Sequence, residues 1–493
     1  MKKIISVLLV LAMFMFCLVA CGGGEDNGSS EESIGSSNKT NEFMDADGNY
    51  VPRHEVKDMQ GRNFSIIVRG EVFGTYQSDD FTTNSQLYGE LIDDAVQRRN
   101  DVVERLYNVT LVVNKSDDID KEVLLDCQSS LGNYDAIMPS LSNLSNLASQ
   151  GYLYDLRSIE AFDDEAPWYD ENCSKAFSIN NQLHFTTGDI TILNKVNTPS
   201  ILFNKEMAAK YFPETDFYQL VRDKEWTFDV LLESAKKVAS IVTSDGSYSD
   251  DNIYGMVTTY NDTHMFYGAS GELICGKDSN DLPYLQMGQT DRSVTIAQKI
   301  LSEYSNADWL IHAEECEAPI WETSFAIFYE GRALFRPSAF SATTKLRKLS
   351  EIEFGVLPYP LMDSTQTEYF SYCSTGATAG IAIPISAKDP EYSAYMIEAY
   401  SAWAKNYLTK AYYEVNLRYK DLRDDESEEM LDIIFSNIVY DMGLCYNFGG
   451  LATMMKELCM ANSTDVVSTI EGKVDQAQTK INELIEMYAN QEE

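Results

Sequence analysis

From Arg62 onwards the apolar residues fall into short runs separated by polar turns, and the period of each run predicts an element. RNFSIIVRG at 62–70 has the length and β-branched content of a strand. Between 85 and 106, Leu87, Leu91, Ala95, Val102 and Leu106 recur near one helical face, interrupted at Arg98 and Arg99. VTLVV at 109–113 predicts a second strand, DIDKEVLLDCQSSL at 118–131 a second helix, and YDAIMPS at 134–140 a third apolar segment that ends in turn residues. Strand, helix, strand, helix, strand predicts an α/β layer with a largely parallel sheet. Ligands of such sheets commonly meet the loops at the carboxyl ends of the strands.

Two extended runs then surround His184 and Ile201, and a helix begins near Lys205. WTFDVLLESAKKVAS at 226–240 places Phe228, Leu231, Leu232, Ala235 and Val238 on one helical face. SDGSYSDDNIYGM is a turn-rich link into a second, helix-rich region. At the carboxyl end, VVSTIEGKVDQAQTKINELIEMYAN predicts an amphipathic helix packing through Ile470, Val474, Ala477, Ile481 and Ile485. The acidic run from Asp424 to Glu429 reads as a solvated helix entrance.

The amino terminus has a different pattern. Lys2 and Lys3 precede an almost uninterrupted apolar stretch at 4–20, which no cluster of basic residues follows, so residues 1–20 read as an export signal. Leu18, Val19, Ala20 and Cys21 resemble a bacterial lipobox, which implies cleavage before Cys21 and lipid modification of its thiol, the anchor that the following glycines cannot supply. Residues 21–59 are rich in Gly, Ser, Asn and acids and predict a flexible tether. DADGN within it begins like a calcium loop, but Tyr50 stands at the turn-glycine position and Val56 at the closing carboxylate.

About 470 residues remain after the signal, enough for two or three domains. The chain has 38 Lys and Arg against 77 Asp and Glu, a net charge of −39, which opposes binding to a phosphate backbone and excludes a simple nucleic-acid footprint. Beyond Cys17 and Cys21, seven cysteines are scattered without a CxxC pair, so buried free thiols are expected. The four histidines are dispersed and predict no metal site, and HExxH, GxSxG, GxGxxG and GxxxxGK[ST] are all missing. No cofactor is expected.

YDAIMPS (134–140), NQLHFTTGD (181–189), ILFNKEMAAK (201–210), DGSYSDDNIYGM (245–256), FYEGRALF (328–335), FGVLPYP (354–360) and GIAIPISAKDPEYSAYMIEAY (380–400) follow Cys21 in an ordered series over nearly the whole exported chain. In this order they resemble the extracellular solute-binding lipoproteins of bacterial ABC importers, in particular the carbohydrate-binding family 1 group. The resemblance implies an α/β, two-lobed type 2 periplasmic-binding-protein-like fold with a hinge and an interlobe cleft. It places lobe 1 at 60–188 and 336–405 and lobe 2 at 189–335 and 406–493, with crossings near Asp189 and Arg336. It also implies a monomer facing the exterior of a Gram-positive cell and passing its ligand to a membrane permease driven by separate ATPase subunits.

A carbohydrate needs flat apolar area for its ring faces and directional partners for its hydroxyls. Trp168 in APWYD, Tyr76 after the first strand, Trp321 after Pro319 and Tyr446 in CYNFGG are the aromatic candidates. Glu71 at the end of the first strand, Asp135 before AIMPS, and Asp189 and Arg336 at the crossings are the polar ones. A peptide or another polar metabolite is the alternative ligand. A glycosidase would need two carboxylates facing one bond, which spacing among 77 acids does not identify. An adhesive or structural lipoprotein is the third class.

Overall fold

The structure is a computed structural model that describes residues 42–83, 90–241, 248–249, 251–305, 307–349, 352–413 and 425–490. The export signal, Cys21 and the tether through residue 41 lie outside the described residues, as does Asp424.

The first sheet is built as the pattern predicts. Strands β1 (Arg62–Arg69), β2 (Val109–Ser116) and β3 (Ala136–Met138) are parallel in the order β2-β1-β3. Ile66, Ile67 and Val68 are all buried, as expected where helices cover both faces of a parallel sheet. The sheet widens through antiparallel bridges from Ile137 to Ala382, Ser140 to Ala379 and Thr186 to Ile381.

The second sheet has the order β10-β4-β9-β5-β8. Its members are β4 (Pro199–Asn204), β5 (Tyr254–Thr258), β8 (Leu310–His312), β9 (Ala333–Ala339) and β10 (Phe354–Leu357), while β6 (Cys275–Lys277) and β7 (Pro283–Leu285) form a separate hairpin. β5 is parallel to β8 and β9, and β4 runs antiparallel to β9 and β10. Helix Phe228–Val238 covers this sheet with the predicted face. Thr227 caps it by accepting from Val230 N at 3.3 Å, and Phe228, Leu231, Leu232, Ala235 and Val238 are buried. Gly255 permits the close approach, because a Cβ there would sit 2.2 Å from the Ala235 carbonyl oxygen.

Two expected boundaries move. Arg336 is no crossing: β9 carries it inside the second sheet, paired with Leu202, and the chain stays there through Leu357. β11 (Ser371–Tyr372) then pairs with β12 (Ile438–Val439), and residues 379–384 rejoin the first sheet. The tether also ends earlier than 59. Phe43 is buried against Trp168, His54 stacks on Tyr395 at 3.7 Å, and Asn406 bonds both backbone groups of Tyr50, at 2.8 Å each. A few apolar side chains with ready sockets are enough to order a polar segment.

Candidate ligand cleft

The first crossing leaves the first sheet at Asp189, whose carboxylate is buried and fully engaged. It accepts from Lys195 Nζ at 3.1 Å, Lys405 Nζ at 2.9 Å and Thr409 Oγ1 at 2.8 Å. Burial alone raises its pKa, but the two ammonium groups overcome that and hold it below the ordinary carboxylate value. Asp189 thus ties the end of the strand around Thr186 to the turn that follows helix Pro390–Ala404. A second tie, which the sequence reading missed, lies beside it. Asp80 accepts from Thr191 Oγ1, and from Ile192 N at 3.0 Å, while Arg99 Nη2 donates to the Asp80 carbonyl oxygen at 2.7 Å. Burial pushes the Asp80 carboxyl up and the Arg99 guanidinium down to about 10. The acidic pair directly after the first strand region was the signal available for it.

At the carboxyl end of β1, Glu71 is exposed and opens the short 3₁₀ segment Glu71–Tyr76, with Tyr76 half-buried against the core. Val72 N donates to Asp117 Oδ1 at 3.0 Å and so joins the loops that follow β1 and β2. At the corresponding end of the second sheet, Tyr260 follows β5 and stacks on His312 at 4.1 Å with an interplanar angle of 18°. Its hydroxyl donates to Glu315 Oε1 at 2.6 Å, and the adjoining His312 holds the Glu315 carboxyl down at about 2. Trp321, in the first turn of helix Ile320–Tyr329, is 54% exposed. The sequence reading took Trp321 and missed Tyr260, which sits in a TTYNDTH turn immediately after a strand.

Three candidates are corrected. Trp168 is 1% exposed and packs edge-on to Phe43 at 5.3 Å, so its turn-rich context delivers the indole to the core and not to a rim. Asp135 stands at the amino end of β3, where its Oδ2 accepts from Ser65 N at 2.8 Å, on the far side of the sheet from the ligand loops. Arg336 is buried under helix Ile320–Tyr329, donating Nη1 to the Ser324 carbonyl oxygen at 3.0 Å with its guanidinium 5.2 Å from the Phe325 ring centre. Burial pushes it down to about 10 against the opposing pull of Asp262. Its role is to support the helix that carries Trp321.

Tyr446 stacks on Phe448 at 5.6 Å and places its hydroxyl 3.3 Å from that of Tyr488. It lines a cavity of about 310 Å³ with Asn146, Ser149, Lys480, Glu483 and Leu484, between helix Leu141–Ala148 of the first lobe and the C-terminal helix Val466–Ala489.

No protein-family model and no curated protein matches the sequence. Solved structures do. A cyclo/maltodextrin-binding protein complexed with maltotetraose aligns over 88% of this chain and 98% of its own, at 14% identity and a TM-score of 0.55. An ABC substrate-binding protein from Listeria monocytogenes in complex with cycloalternan aligns over 86% and 99%, at 12% identity and a TM-score of 0.53. MalX from Streptococcus pneumoniae, in complex with maltopentaose, aligns over 85% and 99%, at 15% identity and a TM-score of 0.52. This chain has the fold of the ABC solute-binding proteins. The two sheets are the cores of the two lobes of this fold, and the loops after β1, β2, β5 and β8 are the candidates for its interlobe cleft. Among the described residues no helix is long and apolar enough to cross a membrane.

Proposed function

We propose that this chain is the substrate-binding component of an ABC importer, reversibly capturing an oligosaccharide or glycoside and delivering it to the membrane permease. The observation that carries the reading is the fold match over almost the full length of three proteins solved with maltotetraose, cycloalternan and maltopentaose. In this reading Trp321 supplies the apolar platform for a sugar ring, and Tyr260, its hydroxyl fixed by Glu315, supplies a second aromatic edge. Glu71 accepts from ligand hydroxyls, and Tyr76 shapes the opposing lip. Cys21 carries the lipid that keeps the protein at the outer face of a Gram-positive membrane, and ATP is hydrolysed by separate subunits. The protein works as a monomer and is not an enzyme; no bond of the ligand is made or broken, so the sugar leaves unchanged.

Calorimetric titration with maltooligosaccharides and with short peptides tests the reading. Saturable saccharide binding with the sugar recovered intact supports it. Selective peptide binding moves the protein to the peptide-binding alternative, and release of new reducing ends makes it a glycosidase.

A further inference from the structure

His312 ends β8 with its ring buried beside the turn that follows β5. The Tyr260 ring stacks on it at 4.1 Å and 18°, and the buried Tyr304, which ends helix Asp291–Tyr304, stands 6.2 Å away. The edges of the imidazole are held as well. Nδ1 lies 3.3 Å from Glu315 Oε2, and Cys459 Sγ, on helix Met454–Met460, lies 3.9 Å from Nε2. An ionised carboxylate only accepts, so the Nδ1 proton points to Glu315 and the neutral ring leaves Nε2 to receive the thiol proton.

Glu315 joins this histidine to Tyr260. Its Oε1 accepts from the Tyr260 hydroxyl at 2.6 Å, and its Oε2 accepts from the His312 backbone N–H at 3.4 Å. Glu314 Oε2 accepts from Tyr260 N, also at 3.4 Å. The phenol is therefore gripped at its ring face, its hydroxyl and its backbone by one short segment, 312–315.

We propose that His312 is the positioning residue of the Tyr260 platform and that its protonation tightens saccharide capture. This rests on the reading of Tyr260 as a ligand contact. An imidazolium adds an electrostatic attraction to the Tyr260 ring face and a charge-assisted bond to Glu315, the group that fixes the hydroxyl. The ring then stands in its ligand-ready orientation before ligand arrives, and less ordering remains to be done on binding.

The surrounding groups leave His312 to carry the change of charge near neutrality. Glu315 is held down at about 2 by His312 and stays ionised. Burial pushes the thiols of Cys316 and Cys459 up to about 11 and about 12 and raises the hydroxyls of Tyr260 and Tyr304, so these four stay neutral. Asp262 is the competing group: it faces Tyr304, burial raises its carboxyl, and Arg336 is its nearby cation. Its Oδ2 accepts from Thr258 Oγ1 and Thr259 N, at 2.7 Å each.

Maltotetraose titration at pH 7.5 and 5.5, corrected for folded fraction, tests the proposal. The wild-type dissociation constant should fall about 3- to 10-fold toward acid, as expected when the platform passes from a minor to a major population of its binding orientation. His312→Phe keeps a stacked ring without a titrating group and should show no such change. Glu315→Gln, on the exposed side, should reduce it. A wild-type affinity that is independent of pH, or an equal change in His312→Phe, which would assign the effect to Asp262, overturns the proposal. A ligand-free measurement separates it from the carbohydrate reading: in protein with ¹³C-labelled tyrosine, the Tyr260 resonance, assigned through Tyr260→Phe, should shift between pH 7.5 and 5.5 in the wild type and stay fixed in His312→Phe. A Tyr260 resonance that does not move in the wild type also overturns the coupling. No maltotetraose binding by the wild type, or unchanged binding in Tyr260→Ala, counts against the saccharide or the Tyr260 contact, while the resonance still decides whether His312 controls the platform.

Discussion

Replacing Trp168 by alanine should damage the fold and leave the ligand site alone. The indole is 1% exposed, meets Phe43 edge-on at 5.3 Å and lies 6.3 Å from Tyr169. Removing a buried aromatic ring of this size costs about 3–5 kcal/mol, the transfer free energy plus the cavity left behind. Part of that cost belongs to the amino-terminal segment, because Phe43 is held between Trp168 and Arg53, whose guanidinium sits 4.3 Å from the Phe43 ring centre. A double-mutant cycle of Trp168→Ala with Phe43→Ala should show a coupling of about 0.5–1.5 kcal/mol, the usual worth of an edge-to-face pair. Urea unfolding followed by circular dichroism reads the loss, and saccharide titration of the same samples, corrected for folded fraction, should give an unchanged dissociation constant. An unchanged urea midpoint together with weakened saccharide binding would refute this reasoning and return Trp168 to the cleft.

Trp321→Ala should do the reverse: with the ring 54% exposed, melting should hardly move, while saccharide affinity falls by about 1–3 kcal/mol, roughly 5- to 150-fold, in the same titration. Glu398 makes stability depend on pH. It is buried on helix Pro390–Ala404, accepts from Tyr169 Oη at 2.7 Å, and burial pushes its carboxyl up to about 8 from 4.5. Between those values the folded state holds a proton that the unfolded state has released, so stability should decline as pH rises from about 5 to 8, by at most about 1.4 kcal/mol per unit. Glu398→Gln should flatten that part of a melting-temperature profile, and an equal slope in both proteins would show that the carboxyl does not titrate in this window.

The period of the apolar residues determined what could be read from neighbours along the chain. Continuous β-branched runs made β1 and β2 strands, and the spacing of Phe228, Leu231, Leu232, Ala235 and Val238 made a helix with that face inward, because each pattern has only one way to bury its apolar side. Strand alternating with helix likewise made the first sheet parallel. Among the proposed ligand contacts, Glu71 was read as a strand-end residue and Trp321 as an aromatic after Pro319, and both are exposed.

What required the tertiary structure is every case where a polar or aromatic side chain meets a partner far away in sequence. Helix Glu90–Tyr107 falls within the predicted span, whose Leu87 lies outside the described residues; Ala95 is buried as expected beside Ile92, Val96, Arg99, Val103 and Tyr107, while Leu91 and Leu106 are exposed. Arg99 looked like an interruption because a charge cannot be buried alone; the carbonyl oxygens of Asp80 and Ile190, 19 and 91 residues away, accept its protons and make burial possible. Asp189 was a crossing residue in sequence, and the buried clamp it forms exists only through Lys405 and Thr409. Trp168, Asp135 and Arg336 had the chemistry of ligand contacts, but Phe43, Ser65 and Ser324 occupy them instead. Residue type and local spacing set which interactions a side chain can make, and long-range packing decides which partner arrives within a few ångströms to make them.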